Sequence, residues 1–156
     1  PTHELIIDLA AQTASRLGQW IKESDVFGLF TAMGHPVFIW HVMDDGADAM
    51  SLLDKTLENY PQQNLNFIVV QNRGRGENFE MFEQSPVFQK AQQRNAYCMT
   101  LNKLHPKLVQ KVDFNDLSFW AAANNHDMMN TPERQRMRVW LDNAYAQLDH
   151  FLKQDE

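Results

Sequence analysis

Four short, almost unbroken apolar runs constrain this chain most: Glu4 to Asp8, Val37 to Met43, Asn66 to Gln71 and Ala96 to Leu101. Each is rich in β-branched, aromatic or other apolar residues and does not alternate with polar ones, the pattern of strands covered on both faces. Helical spacing fills the intervals. Leu17, Trp20 and Ile21 share one helical face, and Ser24 or Asp25 can cap a second short helix that Gly34 ends before His35-Pro36. Met50, Leu53, Leu57 and Tyr60 repeat at helical spacing until Pro61. Phe79 and Phe82 mark a single turn, and Ser85-Pro86 starts a helix running to about Arg94, with serine as cap and proline at its first position. The order β, α, β, α, β, α, β predicts an α/β fold with a mostly parallel sheet flanked by helices.

From Leu104 onward the reading is helical. Asn115 or Asp116 is placed to cap a helix holding Leu117, Phe119, Trp120 and Ala123. Thr131-Pro132-Glu133 opens a long last helix, whose stripe of Met137, Trp140, Leu141, Ala144, Leu148, Phe151 and Leu152 is expected to dock it on the sheet. At 156 residues the chain reads as a single α/β domain. Its formal charge of -6 argues against broad non-specific contact with nucleic acid or anionic membrane. A lone cysteine, Cys98, inside an apolar run, with no secretory or membrane-length segment, fits a reducing cytoplasm. The opening "PTHELIID" enters an apolar run at once without an initiator methionine, so Pro1 reads as a cut end.

Candidate site residues gather at the predicted carboxyl ends of strands, where open α/β sheets bind ligands. Asp8 ends "ELIID", where a carboxylate either holds Mg²⁺ beside a phosphate or simply caps the next turn. "MDDGADAM" places Asp44, Asp45 and Asp48 around Gly46, but the alternation of a calcium loop is missing and helix capping by Asp45 or Asp48 is the simpler role. Asn72 ends the third run with an amide that complements the adenine edge, and Arg73-Gly74-Arg75-Gly76 follows. Arg73 and Arg75 are suited to phosphate or a partner, while the glycines allow tight turns; a solvated loop is the plain alternative. His126-Asp127 lacks a second histidine at ligand spacing, which leaves a metal hydrolase built on Asp8, Asp44 and His126 as the weakest reading.

The segments "ELIIDLAAQT", "VFIWHVMDDGADAMSLLDKTLE", "NFIVVQNRGRGENFEMFEQS", "LHPKL" and "RQRMRVWLDNAYAQL" together resemble the carboxyl-terminal two-thirds of a ParA/MinD-type P-loop ATPase. The resemblance is strongest to the plasmid mobilisation and stability branch, the conjugative-transfer and StbB-like proteins. It implies a P-loop NTPase or Rossmann-like three-layer sheet, of which this chain is the carboxyl-terminal portion. The family's phosphate loop, "KGGxGKS/T", has no match here. Position by position, the resemblance puts Asp8 at the Mg²⁺ and attacking water, and Ala10, Ala11 and Gln12 in a switch-like loop. It makes Asn72 the adenine contact with Arg73 beside it, and His105-Pro106 the loop closing over the base. It implies ATP and Mg²⁺ as cofactors of the full-length protein, a homodimer, a protein partner in a plasmid transfer or partition complex, and indirect association with DNA. This chain alone is expected to be inactive, and an inert α/β interaction module is the alternative. Without the phosphate-loop strand, Glu4 to Asp8 is expected to leave an apolar sheet edge that invites self-association.

Overall fold

A computed structural model describes residues 5–9, 13–62 and 64–152. Three of the four apolar runs form a parallel sheet in the order β1-β2-β3: Val37–Met43, Leu65–Asn72 and Tyr97–Leu101. The central strand β2 is buried on both sides, which explains its unbroken apolar sequence. The chain is α/β, with helices on both faces of this sheet and a long carboxyl-terminal helix.

One face of the sheet, carrying Leu65, Phe67 and Val69, packs against five helices. These are α1 (Ala14–Glu23), α2 (Val26–Ala32), α3 (Ala47–Asn59), α4 (Glu80–Glu83) and α5 (Pro86–Gln93). Ile21, Phe27, Leu53, Leu57, Phe82 and Ala91 fill the core between them. Gly34 ends the α2 segment at φ 73°, a left-handed turn that glycine adopts without strain. Ser85 Oγ accepts from Phe88 N–H at 3.1 Å, the cap that Ser85-Pro86 predicts. Arg94 ties α5 to the end of α3. Its guanidinium donates to the carbonyls of Leu57, Tyr60 and Gln62 and lies 5.0 Å above the Phe67 ring.

The opposite face is covered by α8 (Thr131–Leu152), whose Leu148 and Phe151 pack on Ile68, Val70 and Met99. The amino-terminal part of α8 instead buries Met137 and Leu141 against α6 (Pro106–Phe114) and α7 (Phe119–Asn124), so only the last turns of the expected stripe reach the sheet. Asn130 and Glu133 open α8 with a capping box: each side chain accepts from the other's backbone N–H. Ser118, not Asn115 or Asp116, caps α7 through Ala121 N–H; Asp116 sits in a left-handed turn at φ 51° instead.

The expected strand Glu4 to Asp8 is corrected. Glu4 lies outside the described residues, and residues 5–8 carry no strand pairing. Leu5, Ile6 and Ile7 stand 79, 90 and 67% exposed. A strand needs a neighbour for its backbone N–H and C=O groups, and apolar sequence alone does not supply one.

Candidate functional site

The carboxyl ends of β1, β2 and β3 lie side by side because the strands are parallel and in register, Met43 beside Gln71 and Asn72 beside Leu101. The three exit loops therefore meet at one end of the sheet. The β2 loop turns tightly on Asn72: the Asn72 carbonyl accepts from Arg75 and Gly76 N–H at 3.0 and 3.1 Å, and Asn72 Oδ1 accepts from Gly74 N–H at 3.0 Å. Arg73 N–H continues the sheet by donating to Leu101 O at 2.9 Å. Asn72 thus ends its strand as expected. One lobe of its side-chain carbonyl shapes the turn, and its Nδ2 donors make no bond among the described residues.

Asp45 braces this loop from β1. Its Oδ2 accepts from Glu77 and Asn78 N–H at 2.9 and 3.1 Å, and these two donors hold its pKa below the usual aspartate value. Gly76 makes the approach possible, since a Cβ there would fall 2.6 Å from Asp45 N. Of the two residues expected to cap the helix, Asp45 is therefore corrected to a loop clamp, and Asp48 lies in the first turn of α3, whose cap position is Gly46. Asp44 serves a local turn by accepting from Gly46 N–H at 2.9 Å. With its folded pKa lowered, charged Asp45 contributes its full stabilisation above the ordinary aspartate range and loses it as pH falls through the lowered value. Acidification is expected to speed exchange of the Glu77 and Asn78 amides, after correction for intrinsic rates, and Asp45→Asn is expected to flatten that response.

The β3 exit carries Lys103, His105 and Pro106. Lys103 pairs with Glu77, whose pKa this contact lowers. His105 Nδ1 accepts from Lys107 N–H at 3.3 Å, and Pro106 follows at the first helical position, so both residues start α6. Beside them opens a cleft of about 260 Å³ lined by Asn102, Lys103, His105, Arg136, Trp140 and Asn143, among others. Trp140 Nε1–H donates to Asn102 O at 2.6 Å and its ring lies 4.8 Å from Phe119, which fixes the indole at the wall. Arg136 and Asn143 reach this site from α8; the apolar spacing of that helix draws attention to Trp140 as a core residue and says nothing of its polar neighbours.

Arg73 and Arg75 are exposed and make no ion pair among the described residues. Asp8 is exposed and ends no strand, and Ala10, Ala11 and Gln12 lie outside the described residues. Among the described residues, no group of three or more His, Cys, Asp or Glu side chains could hold a metal ion, so Asp8, Asp44 and His126 form no such cluster. Burial pushes the Cys98 thiol pKa up, which disfavours the thiolate a nucleophile needs.

These features define an α/β protein with a parallel sheet whose exit loops meet at one end, near a cleft of mixed polar and apolar lining. Compared with family models, curated proteins and solved structures, the chain matches none. Among the described residues, no helix is long and apolar enough to cross a membrane.

Proposed function

We propose that this chain is the carboxyl-terminal portion of a ParA/MinD-like ATPase acting in plasmid mobilisation, conjugation or partition, and that its site receives the base of ATP. One observation supports the reading: Asn72, whose amide donors make no bond among the described residues, ends β2, and the segment after the adjacent parallel strand β3 leads to His105, which lines a cleft of mixed polar and apolar character with an indole wall. The amide offers two donors and a remaining carbonyl lone pair, which suits the ring nitrogen and exocyclic amine of adenine. Arg73 follows directly and can meet a phosphate or stack on the base.

The residues fit the base better than the rest of the cofactor. ATP supplies a transferable phosphoryl group, but the sequence holds no phosphate loop, and among the described residues Asp8 belongs to no cluster of ligands that could hold Mg²⁺. In the full-length protein the resemblance assigns Mg²⁺ to Asp8, with nucleotide-linked homodimerisation and engagement of a protein partner in a transfer or partition complex, which in turn contacts DNA. Slow hydrolysis would belong to that protein. This chain alone is expected neither to hydrolyse ATP nor to bind it tightly, since the main electrostatic anchor is missing.

An amide titration by NMR tests the reading. ATP is expected to shift Asn72, Arg73 and His105 at millimolar concentration, with GTP weaker. Asn72→Ala is expected to lose about 1–3 kcal/mol, roughly 5- to 150-fold in affinity. Shifts elsewhere, or none, would defeat the base-reading role. The braced loop, on which Arg73 and Arg75 make no ion pair among the described residues, supports a second reading, a catalytically inert α/β protein-interaction module, which predicts no difference between ATP and GTP.

A further inference from the structure

The two edges of the sheet are treated differently. At the β3 edge, the Gln147 side chain accepts from Thr100 N–H at 2.9 Å and donates to Thr100 O at 2.8 Å, which gives that strand a partner at one residue. At the β1 edge nothing comparable exists among the described residues. Trp40 and Val42 are 49 and 59% exposed there, on the face where Phe38 already packs against Phe151. The sequence Val37–Met43 contains no lysine, glutamate or proline, the devices that usually protect an open edge.

Crossover geometry says where a preceding strand belongs. The steps β1 to β2 and β2 to β3 run in one direction across the sheet, and their helices α3, α4 and α5 all pack on the face of Phe67. Helices α1 and α2, which lead into β1, pack on that same face through Ile21, Val26 and Phe27. A connection of the same hand on the same face must step in the same direction. Any strand before α1 therefore lies on the side of β1 away from β2. The apolar segment Leu5–Leu9 precedes α1, stands open to solvent, and is separated from Ala14 by residues 10–13, a spacing similar to that between Met43 and Ala47.

We propose that Leu5–Leu9, exposed and unpaired in the structure described above, docks in solution in the same chain as a parallel strand on the edge of β1 that is open among the described residues. Side chains alternate along a strand, so one face receives Leu5, Ile7 and Leu9 and the other Ile6 and Asp8. The all-apolar set lies against Trp40 and Val42, and Asp8 comes to the carboxyl end of the sheet beside the β1 exit. A tethered segment has an effective concentration near the millimolar range, which favours it over a second copy at micromolar protein. This assignment holds whether or not the site takes a nucleotide.

Hydrogen exchange, light scattering and NOEs on the pure chain without nucleotide, using a mixture of labelled and unlabelled protein, test it. The expected result is a monomer at tens of micromolar with contacts from Ile7 to Val42 inside one chain. The outer amides of β1 and those of Ile6 to Asp8 should exchange on the order of a hundredfold more slowly than in Ile7→Lys. A monomer whose residues 5–9 exchange as free chain overturns the proposal, and this reading needs no variant. A dimer with contacts between chains at β1 also overturns it, because a second copy is then the occupant.

Discussion

Phe67→Ala is expected to lower the free energy of unfolding by about 3–5 kcal/mol. Phe67 is 1% exposed at the middle of β2, the only strand of the described sheet with a neighbour on each side. Its removal opens a cavity beneath α3 and α5 and takes away the ring under Arg94. Arg94 also holds the end of α3 by three carbonyls, so losing its platform loosens a helix junction as well as a core contact. For a chain of this size the loss corresponds to a drop in Tm of roughly 6–20 °C. Phe67→Leu retains most of the volume and should cost less than half as much. Urea denaturation checks both: the midpoint should fall with an unchanged slope. Equal losses for alanine and leucine would place the effect in the ring's contact with Arg94 rather than in the cavity.

The parts of the fold that could be read from sequence are those whose cause is local. The run Asn66 to Gln71 marks β2 because burial on both faces demands continuous apolarity, and the strand extends one residue beyond it at each end. Ser85-Pro86 marks α5 because both the cap and the fixed φ act within one turn. Gly34 and Asn72 end their elements for equally local reasons. What depends on a distant partner was hidden. Residues 5–8 look as apolar as β1, but a strand is a pairing, and their composition does not name a neighbour. Asp45 sits before a helix and reads as its cap, whereas its acceptors serve Glu77 and Asn78 in another loop. Gly76 held the one clue, a glycine where a backbone passes close by. Asn72, Arg73, His105 and Pro106 were named from a strand end and from the family resemblance; of these only His105 lines the cleft, which Arg136 and Asn143 reach from a helix distant in sequence.

Gln147→Glu is expected to be the most informative change on α8. The native amide offers Thr100 one acceptor and one donor, in the manner of a neighbouring strand, and Tyr97 OH donates to the Gln147 carbonyl at 2.8 Å. Leu148 and Phe151 pack on the sheet close by, and the Phe151 ring lies 5.0 Å from Tyr97. A glutamate keeps the acceptor for Thr100 N–H but sets a charged oxygen against Thr100 O, leaving that carbonyl without its donor. Together with the lost bond this should cost about 2–4 kcal/mol at neutral pH, similar to Gln147→Ala. The two variants separate in acid. A protonated carboxyl can donate to Thr100 O, so the folded state raises the pKa of the new side chain above the ordinary glutamate value of about 4.3. Its contribution is then fully present below that ordinary value and disappears as pH rises through the raised one. Relative to the wild type, Gln147→Glu should therefore recover stability on acidification while Gln147→Ala does not. Chemical denaturation of the three proteins across that range would read the difference, and parallel behaviour of the two variants would show that the amide does not pair with the edge of β3 in solution.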